Sequence, residues 1–292
     1  MITFATIPRY MPDSAKKRTP PFGNIDQVPA LMGILNITTD SFYDGGAYPD
    51  PDSQLRQVER MVGDGATIVD IGAVSTRPGA REICEMSELD RLVPALRVIR
   101  NHFPEVLISV DTFRPSVAKI AVEFGAGMIN DIYGGQYDET MIGTVAKLKV
   151  PYVIMHMKGT PGTMQHDPEY TDVVAEIKSF FDEQVRKCHE HGLSGIILDP
   201  GFGFGKTVTH NYIMLNRLHE FKAPGHLLMA GLSRKSMISK VLGTQPAGAL
   251  NGTTVLNTIA LMNGADILRV HDVKEASEAV RLVSQLKEAG KV

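Results

Sequence analysis

Cysteine is scarce in this sequence: Cys84 and Cys188 are the only two among 292 residues. Two lone thiols make no disulfide framework, and neither sits in a CxxC pair, so reduced thiols and a cytoplasmic location are expected. Long apolar runs are also missing. No stretch of about 18 apolar residues occurs, which predicts no transmembrane helix. The opening segment MITFATIPRYMPDSAKKRTPPFG has no apolar core with a cleavage site, so a signal peptide is not expected. Neither sign of charge dominates: 30 Lys and Arg against 33 Asp and Glu give a net charge of −3. That argues against nucleic-acid partners and against a polybasic membrane surface. An anionic substrate must therefore be held by a local site.

Several catalytic signatures are absent too. There is no HExxH, and no GxSxG elbow frames a nucleophile. GFGFGKT (201–207) resembles a phosphate loop, but GxxxxGK[ST] needs glycine where the chain has Pro200. A dinucleotide fingerprint begun at Gly201 needs its last glycine where the chain has Lys206. CHEH (188–191) is rich in metal-ligand types but falls at the end of an amphipathic helical pattern, where surface histidines are the expected reading.

What is present is ordinary globular material, 43% apolar and 22% charged, enough for a sizeable core. Residues 1–28 read as an N-terminal extension with scattered prolines, and 29–292 as one domain. From residue 29 apolar runs alternate with helical patterns. The runs are 30–35, 66–71, 106–110, 127–129, 152–155, 195–198, 226–230 and 265–270. Between them the periodicity predicts helices over 52–64, 87–102, 115–125, 138–148, 171–191, 210–220, 234–242 with 249–263, and 273–289. Asp172 suits a helix cap, Pro115 a first helical turn, and Gly125 and Gly192 helix ends. Eight strands alternating with helices over this length predict an α/β fold, a (β/α)8 TIM barrel, ahead of a doubly wound open sheet.

In such a barrel the strand ends face the active-site mouth. Here they carry Asn36; Asp70, followed by Ser75, Thr76 and Arg77; Asp111; Asn130 and Asp131; His156 and Lys158; Asp199 and Lys206; Ser233, Arg234 and Lys235; and Arg269, His271 and Asp272. One polar strand end is unremarkable, but eight at one face predict a site. Asp111, Asn130 and Asp199 suit a small polar heterocycle, since buried carboxylates and amides need partners. Arg269, His271 and Lys235 suit a phosphate, and Asn36 offers an amide oxygen to Mg²⁺.

These strand ends fall inside longer motifs: MGILNITTDSFYDGG, DIGAVSTRPGA, SVDT, INDI, MHMKGTPGTMQ, DPGFGFGK, GLSRK and RVHDV. In this order, from about residue 30 to the C-terminus, they resemble dihydropteroate synthase. STRPG together with SRK sets that family apart from pterin-dependent methyltransferases that work with corrinoid proteins. The resemblance implies a homodimeric transferase of folate biosynthesis and a target of sulfonamides. It joins 6-hydroxymethyl-7,8-dihydropterin diphosphate to 4-aminobenzoate, with Mg²⁺ as cofactor, and gives 7,8-dihydropteroate and diphosphate.

Carried over by position, the resemblance assigns Asp111, Asn130, Met155, Asp199 and Lys235 to the pterin. Asn36, Arg269 and His271 go to the diphosphate, with Asn36 as the metal contact. Phe42, Thr76, Arg77, Pro78, Phe204 and Ser233 go to aminobenzoate. Asp44, Lys235, Arg269 and His271 are the catalytic set, Asp44 being the family's loop carboxylate near the reacting carbon. Segments 36–50 and 72–86 are expected to close over the substrates. The chain departs from the family at Thr39 (usually Pro), Tyr43 (usually Ser) and Ala73-Val74 (usually Gly-Glu). Losing Pro at 39 restores an N–H and frees φ.

Overall fold

The computed structural model of the protein describes residue 25 and residues 28–38, 50–75 and 83–290. Eight short strands pair in parallel and close on themselves in chain order. They are β1 (Ala30–Asn36), β2 (Ile68–Gly72), β3 (Leu107–Asp111), β4 (Met128–Asp131), β5 (Tyr152–Met155), β6 (Ile196–Asp199), β7 (Leu227–Ala230) and β8 (Ile267–Val270). Every apolar run in the sequence lies at one of them. The helices are α1 (Pro51–Gly63), α2 (Glu85–His102), α3 (Pro115–Glu123), α4 (Met141–Leu148), α5 (Val173–Glu190), α6 (Val208–Asn216), α7 (Ser236–Leu242), α8 (Leu250–Met262) and α9 (Val273–Ala289).

The helix starts follow local chemistry. Asp172 accepts from the backbone N–H groups of Val174 (2.9 Å) and Ala175 (3.1 Å), satisfying two of the four donors that α5 leaves unpaired; such a cap stabilises by about 1 kcal/mol. Asp50 and Ser53 form a capping box on α1. The helix expected over 210–220 is broken. α6 stops at Asn216, and Leu218–Phe221 forms a 3-10 turn. Its period of three places Leu218 and Phe221 on one side, and both are buried.

Strand alternation sorts the core into two layers. Met32, Ile68, Leu107, Met128, Val153, Ile197, Leu227, Met229 and Ile267 fill the barrel. Their neighbours Leu31, Val69, Ile108, Ile129, Ile154, Ile196, Leu228 and Leu268 face the helices. Ile25, from the segment expected to be an extension, is buried with the inner layer. Among the described residues no helix is long and apolar enough to cross a membrane.

Candidate active site

The same alternation decides which strand-end groups reach the mouth. Asp70 shares the parity of Ile68, Asp111 that of Leu107, Asn130 that of Met128, Met155 that of Val153, Asp199 that of Ile197, and Arg269 that of Ile267, so all six point inward with the inner layer. Register then lines them up. Asn36 pairs with Gly72, Gly72 with Asp111, and Asp111 with Asn130; Met155 pairs with Asp199. Asp70 lies one inward position deeper than Gly72.

The other candidates lie elsewhere: Asp131 by the opposite parity, the rest in the segments beyond the strands. Asp131 faces outward, where Oδ2 accepts from Tyr152 OH at 2.5 Å and from Gly135 N at 2.8 Å, and Oδ1 from Tyr133 N at 2.8 Å. Burial pushes its carboxyl up to about 6 against those donors. His156 packs against the Phe180 ring and meets Lys206. Lys158 is exposed, over the Tyr170 ring and beside Glu176. Asp272 holds Arg234 through two contacts at 2.8 and 2.7 Å. Arg234 also donates to the carbonyls of Pro246 and Ala247, so it braces the wall.

Inside the mouth one cation ties three of the inward groups together. Arg269 Nε donates to Asp70 Oδ2 at 2.7 Å and Nη2 to Asp111 Oδ2 at 3.1 Å. Asn130 Nδ2 donates to the same Asp70 oxygen at 3.0 Å. Burial pushes Asp111 up to about 7 even though Arg269 opposes it. Burial pulls the other way on Arg269, where Asp70, Asp111 and Asp199 outweigh it and raise the guanidinium further. Burial also raises Asp199, against Lys235, and Asp199 Oδ1 accepts from Gly201 N at 2.8 Å.

Lys235 stands on the other side of the mouth. A methyl placed on Gly231 would lie 3.8 Å from Lys235 Nζ and 3.9 Å from both Asp199 Oδ2 and Arg269 Cβ, so the three groups converge there. Lys235 Nζ donates to the Phe202 carbonyl and lies 4.8 Å from the centre of the Phe204 ring. Burial lowers Lys235 to about 8 despite Asp199. Ser233 Oγ is 3.0 Å from His271 Nδ1 and accepts from the His271 backbone N–H at 3.2 Å, joining the ends of β7 and β8. Met155, Met157, Met164, Phe113 and Ile132 form a separate apolar cluster, with Phe204 and Tyr133 against it.

Asn36, Asp111, Asn130, Met155, Asp199, Phe204, Ser233, Lys235, Arg269 and His271 all occur at strand ends or the loops that follow them. Phe42, Asp44, Thr76, Arg77 and Pro78 lie outside the described residues, as do Thr39, Tyr43 and most of the two segments expected to close. In the sequence Asp70 reads as a strand end and not as a site residue. Its parity with Ile68 was the available signal. The GFGFGK glycines prove to serve loop packing: Gly201, Gly203 and Gly205 all have positive φ (69°, 83° and 65°). A Cβ on Gly201 would meet the His156 carbonyl oxygen at 2.0 Å, and one on Gly205 that of Lys158 at 2.2 Å. CHEH ends α5 with Cys188 buried and the next three residues exposed.

Comparison with known proteins bears on the same residues. Positions 32–271 match the family described as pterin binding enzyme. The dihydropteroate synthase of Escherichia coli (strain K12) is 45% identical over 257 residues, covering 87% of this chain and 90% of the relative. The Yersinia pestis dihydropteroate synthase, solved in a sulfonamide drug complex, superposes with a TM-score of 0.86 at 42% identity, over 89% of this chain and 95% of that one. The Burkholderia cenocepacia enzyme, solved with 7,8-dihydropteroate, superposes with a TM-score of 0.81 at 36% identity, over 90% and 93%. Sequence match and barrel geometry agree across nearly the whole length, and the chain belongs to the dihydropteroate synthases among the pterin-binding enzymes.

Proposed function

We propose that this transferase condenses 6-hydroxymethyl-7,8-dihydropterin diphosphate with 4-aminobenzoate at the barrel mouth, giving 7,8-dihydropteroate and diphosphate. The observation that carries the proposal is the convergence of two carboxylates, an amide, a lysine and an arginine on one mouth. Asp111, Asn130 and Asp199 offer acceptors and a donor for the ring edge of a pterin, and Lys235 offers an ammonium to a ring acceptor. Met155 supplies an apolar wall from β5. Arg269 and His271 face the diphosphate, and Phe204 and Ser233 the aminobenzoate.

The reaction breaks a C–O bond to diphosphate and forms a C–N bond to an arylamine that then loses a proton. An arylamine is a weak nucleophile, so departure of diphosphate leads. Arg269 stabilises the charge growing on the leaving oxygen from a half-buried position, where it acts at lower dielectric than in water. Asp111 and Asp199, hydrogen-bonded to the ring, favour the positive charge that the pterin takes up as the bond lengthens. No residue of the described site is framed as a nucleophile, and the scheme needs no covalent enzyme intermediate.

Asn36 fits the Mg²⁺ expected of the family. Its amide stands at the tip of β1 beside the gap left by Gly72, and among the described residues none donates to its oxygen. A Cβ in that gap would be 3.4 Å from Asn36 Oδ1 and 3.9 Å from Asp111 Oδ2. Mg²⁺ takes one or two protein oxygens and completes its shell with phosphate and water. When bound it supplies charge neutralisation to the diphosphate.

A cytoplasmic homodimer is part of the same reading. Val241, Leu242, Val255, Ile259, Met262, Leu282 and Leu286 are exposed on α7, α8 and α9, an apolar face of the kind that associates.

The test is a diphosphate-release assay with the pterin diphosphate and Mg²⁺, with and without 4-aminobenzoate. Release that depends on the amine and yields dihydropteroate is expected; release at the same rate without it refutes the proposal.

A further inference from the structure

Lys206 is only 3% exposed, and among the described residues no carboxylate forms an ion pair with it. Its Nζ has three neighbours instead: His156 Nδ1 at 3.0 Å, the His156 carbonyl at 3.1 Å and the Phe204 carbonyl at 2.9 Å. An ammonium has three N–H donors, and here each finds one acceptor. Burial, and then the nearby Lys206 charge, depress His156 far below its ordinary range, so its ring is neutral, and in the Nε2–H tautomer Nδ1 accepts from Lys206. Burial lowers Lys206 well below the ordinary lysine range, with Asp199 opposing it; holding it here as an ammonium is costly, and the proposed chemistry makes no use of it.

The three acceptors belong to two different loops. His156 opens the segment after β5, and Phe204 lies in the loop after β6. The two segments touch because Gly201 and Gly205 have no Cβ to hold the His156 and Lys158 carbonyls away. The β6 loop is also what seats Lys235: the Phe202 carbonyl accepts from Lys235 Nζ and the Phe204 ring lies against it. Asn211 Oδ1 and Gln165 Nε2 hold Gly203 from either side at 2.7 and 2.8 Å, so the segment is fixed at its centre as well as at Lys206.

We infer that Lys206 is a positioning residue: its ammonium stitches the loop after β6 onto the segment after β5, and so places the Phe202 carbonyl and the Phe204 ring that seat Lys235. The inference rests on the reading that Lys235 and Phe204 meet the two halves of the product. Lys206 itself touches neither substrate.

The experiment is a double-mutant cycle on dihydropteroate affinity, read by calorimetry for the parent, Lys206→Met, Phe204→Ala and the double variant. The expected result is a roughly 10-fold loss in each single variant, the scale of a small misplacement. The double variant is expected to lose less than the product of the two single losses, because part of the effect of Lys206 passes through the Phe204 ring and the rest through the Phe202 carbonyl. A crystal structure of ligand-free Lys206→Met is expected to show Lys235 Nζ detached from the Phe202 carbonyl. Full additivity, an unchanged affinity in Lys206→Met, or a crystal structure with that contact intact overturns the inference. If methionine at 206 prevents folding, His156→Phe removes one of the three acceptors and enters the same cycle and crystal test, with a smaller loss expected. A parent that fails to bind dihydropteroate defeats the functional reading instead, and the crystal structure still judges the placement of Lys235.

Discussion

Asp70→Asn tests the inward network at its hub. The change is isosteric and removes one charge from a side chain that is wholly buried. Oδ2 of Asp70 accepts from both Arg269 Nε at 2.7 Å and Asn130 Nδ2 at 3.0 Å. At 2.7 Å the gross attraction to Arg269 is about 6 kcal/mol at an effective dielectric of about 20. Desolvation offsets part of that, and removing one partner of a buried pair typically costs about 3–5 kcal/mol. Arg269 keeps Asp111 as a counter-charge, so the low end applies, about 3 kcal/mol, or roughly 5–10 °C in Tm for a chain of this size. A second readout separates charge from packing. Asp70 is one of the groups that raise Asp111 to about 7, after burial. Its neutralisation should bring Asp111 back toward the ordinary carboxylate range. Urea denaturation measures the first effect, and a carboxyl ¹³C titration of Asp111 in the ligand-free protein the second. A variant within about 0.5 kcal/mol of the parent, with Asp111 titrating unchanged, would show that the hub holds nothing in place.

Other expectations follow from the same geometry. Asp199→Ala should weaken pterin binding roughly 100-fold or more, the loss of two hydrogen bonds to a charged group, by calorimetry; parent-like affinity removes Asp199 from the pocket. Lys235→Ala should cut turnover far more than it lowers Tm, and an unfolded product would make Lys235 a structural residue. Gly201→Ala should destabilise by about 3 kcal/mol or more in chemical denaturation, since it combines a left-handed backbone with a clash against the His156 carbonyl. The raised Asp111 also sets a pH dependence. Between 3.8 and about 7 the unfolded chain has lost this proton and the folded one retains it. Its contribution to stability is therefore full below that window and fades as pH rises through it. Denaturation of the parent and of Asp111→Asn should diverge across those pH values, and parallel curves would refute the raised titration.

Much of this architecture was legible in the residue order. Apolar runs of three to six residues spaced by helical periods are what a parallel barrel needs, because each strand is covered on both faces. The strand ends were legible as a group for the same reason: a run that stops abruptly on Asn or Asp stops where the core stops. Their division was harder. Asp131 follows Asn130 directly, and only the pleat tells that one faces the mouth and the other Tyr152. The Arg269–Asp70 contact spans 199 positions, and it appears only when β1 closes the barrel between β8 and β2. The Lys206 cradle escaped for a related reason. Two of its three acceptors are backbone carbonyls, which every residue possesses and no composition betrays. The split of the helix expected over 210–220 came from Leu218 and Phe221, whose spacing of three suits either geometry.

Gly72 and the row in which it stands separate two kinds of freedom in this protein. Asn36, Asp111, Asn130, Met155 and Asp199 are at once the proposed ligand contacts and rungs of the ladder that closes the barrel. A compound anchored on them grips groups that the chain cannot relocate without changing strand register. Phe204 and Ser233, proposed for the aminobenzoate end, lie past the last rungs of β6 and β7. Sequence drift can accumulate there at little expense to the barrel, so escape from an inhibitor should begin at that end and a durable one should be built from the other.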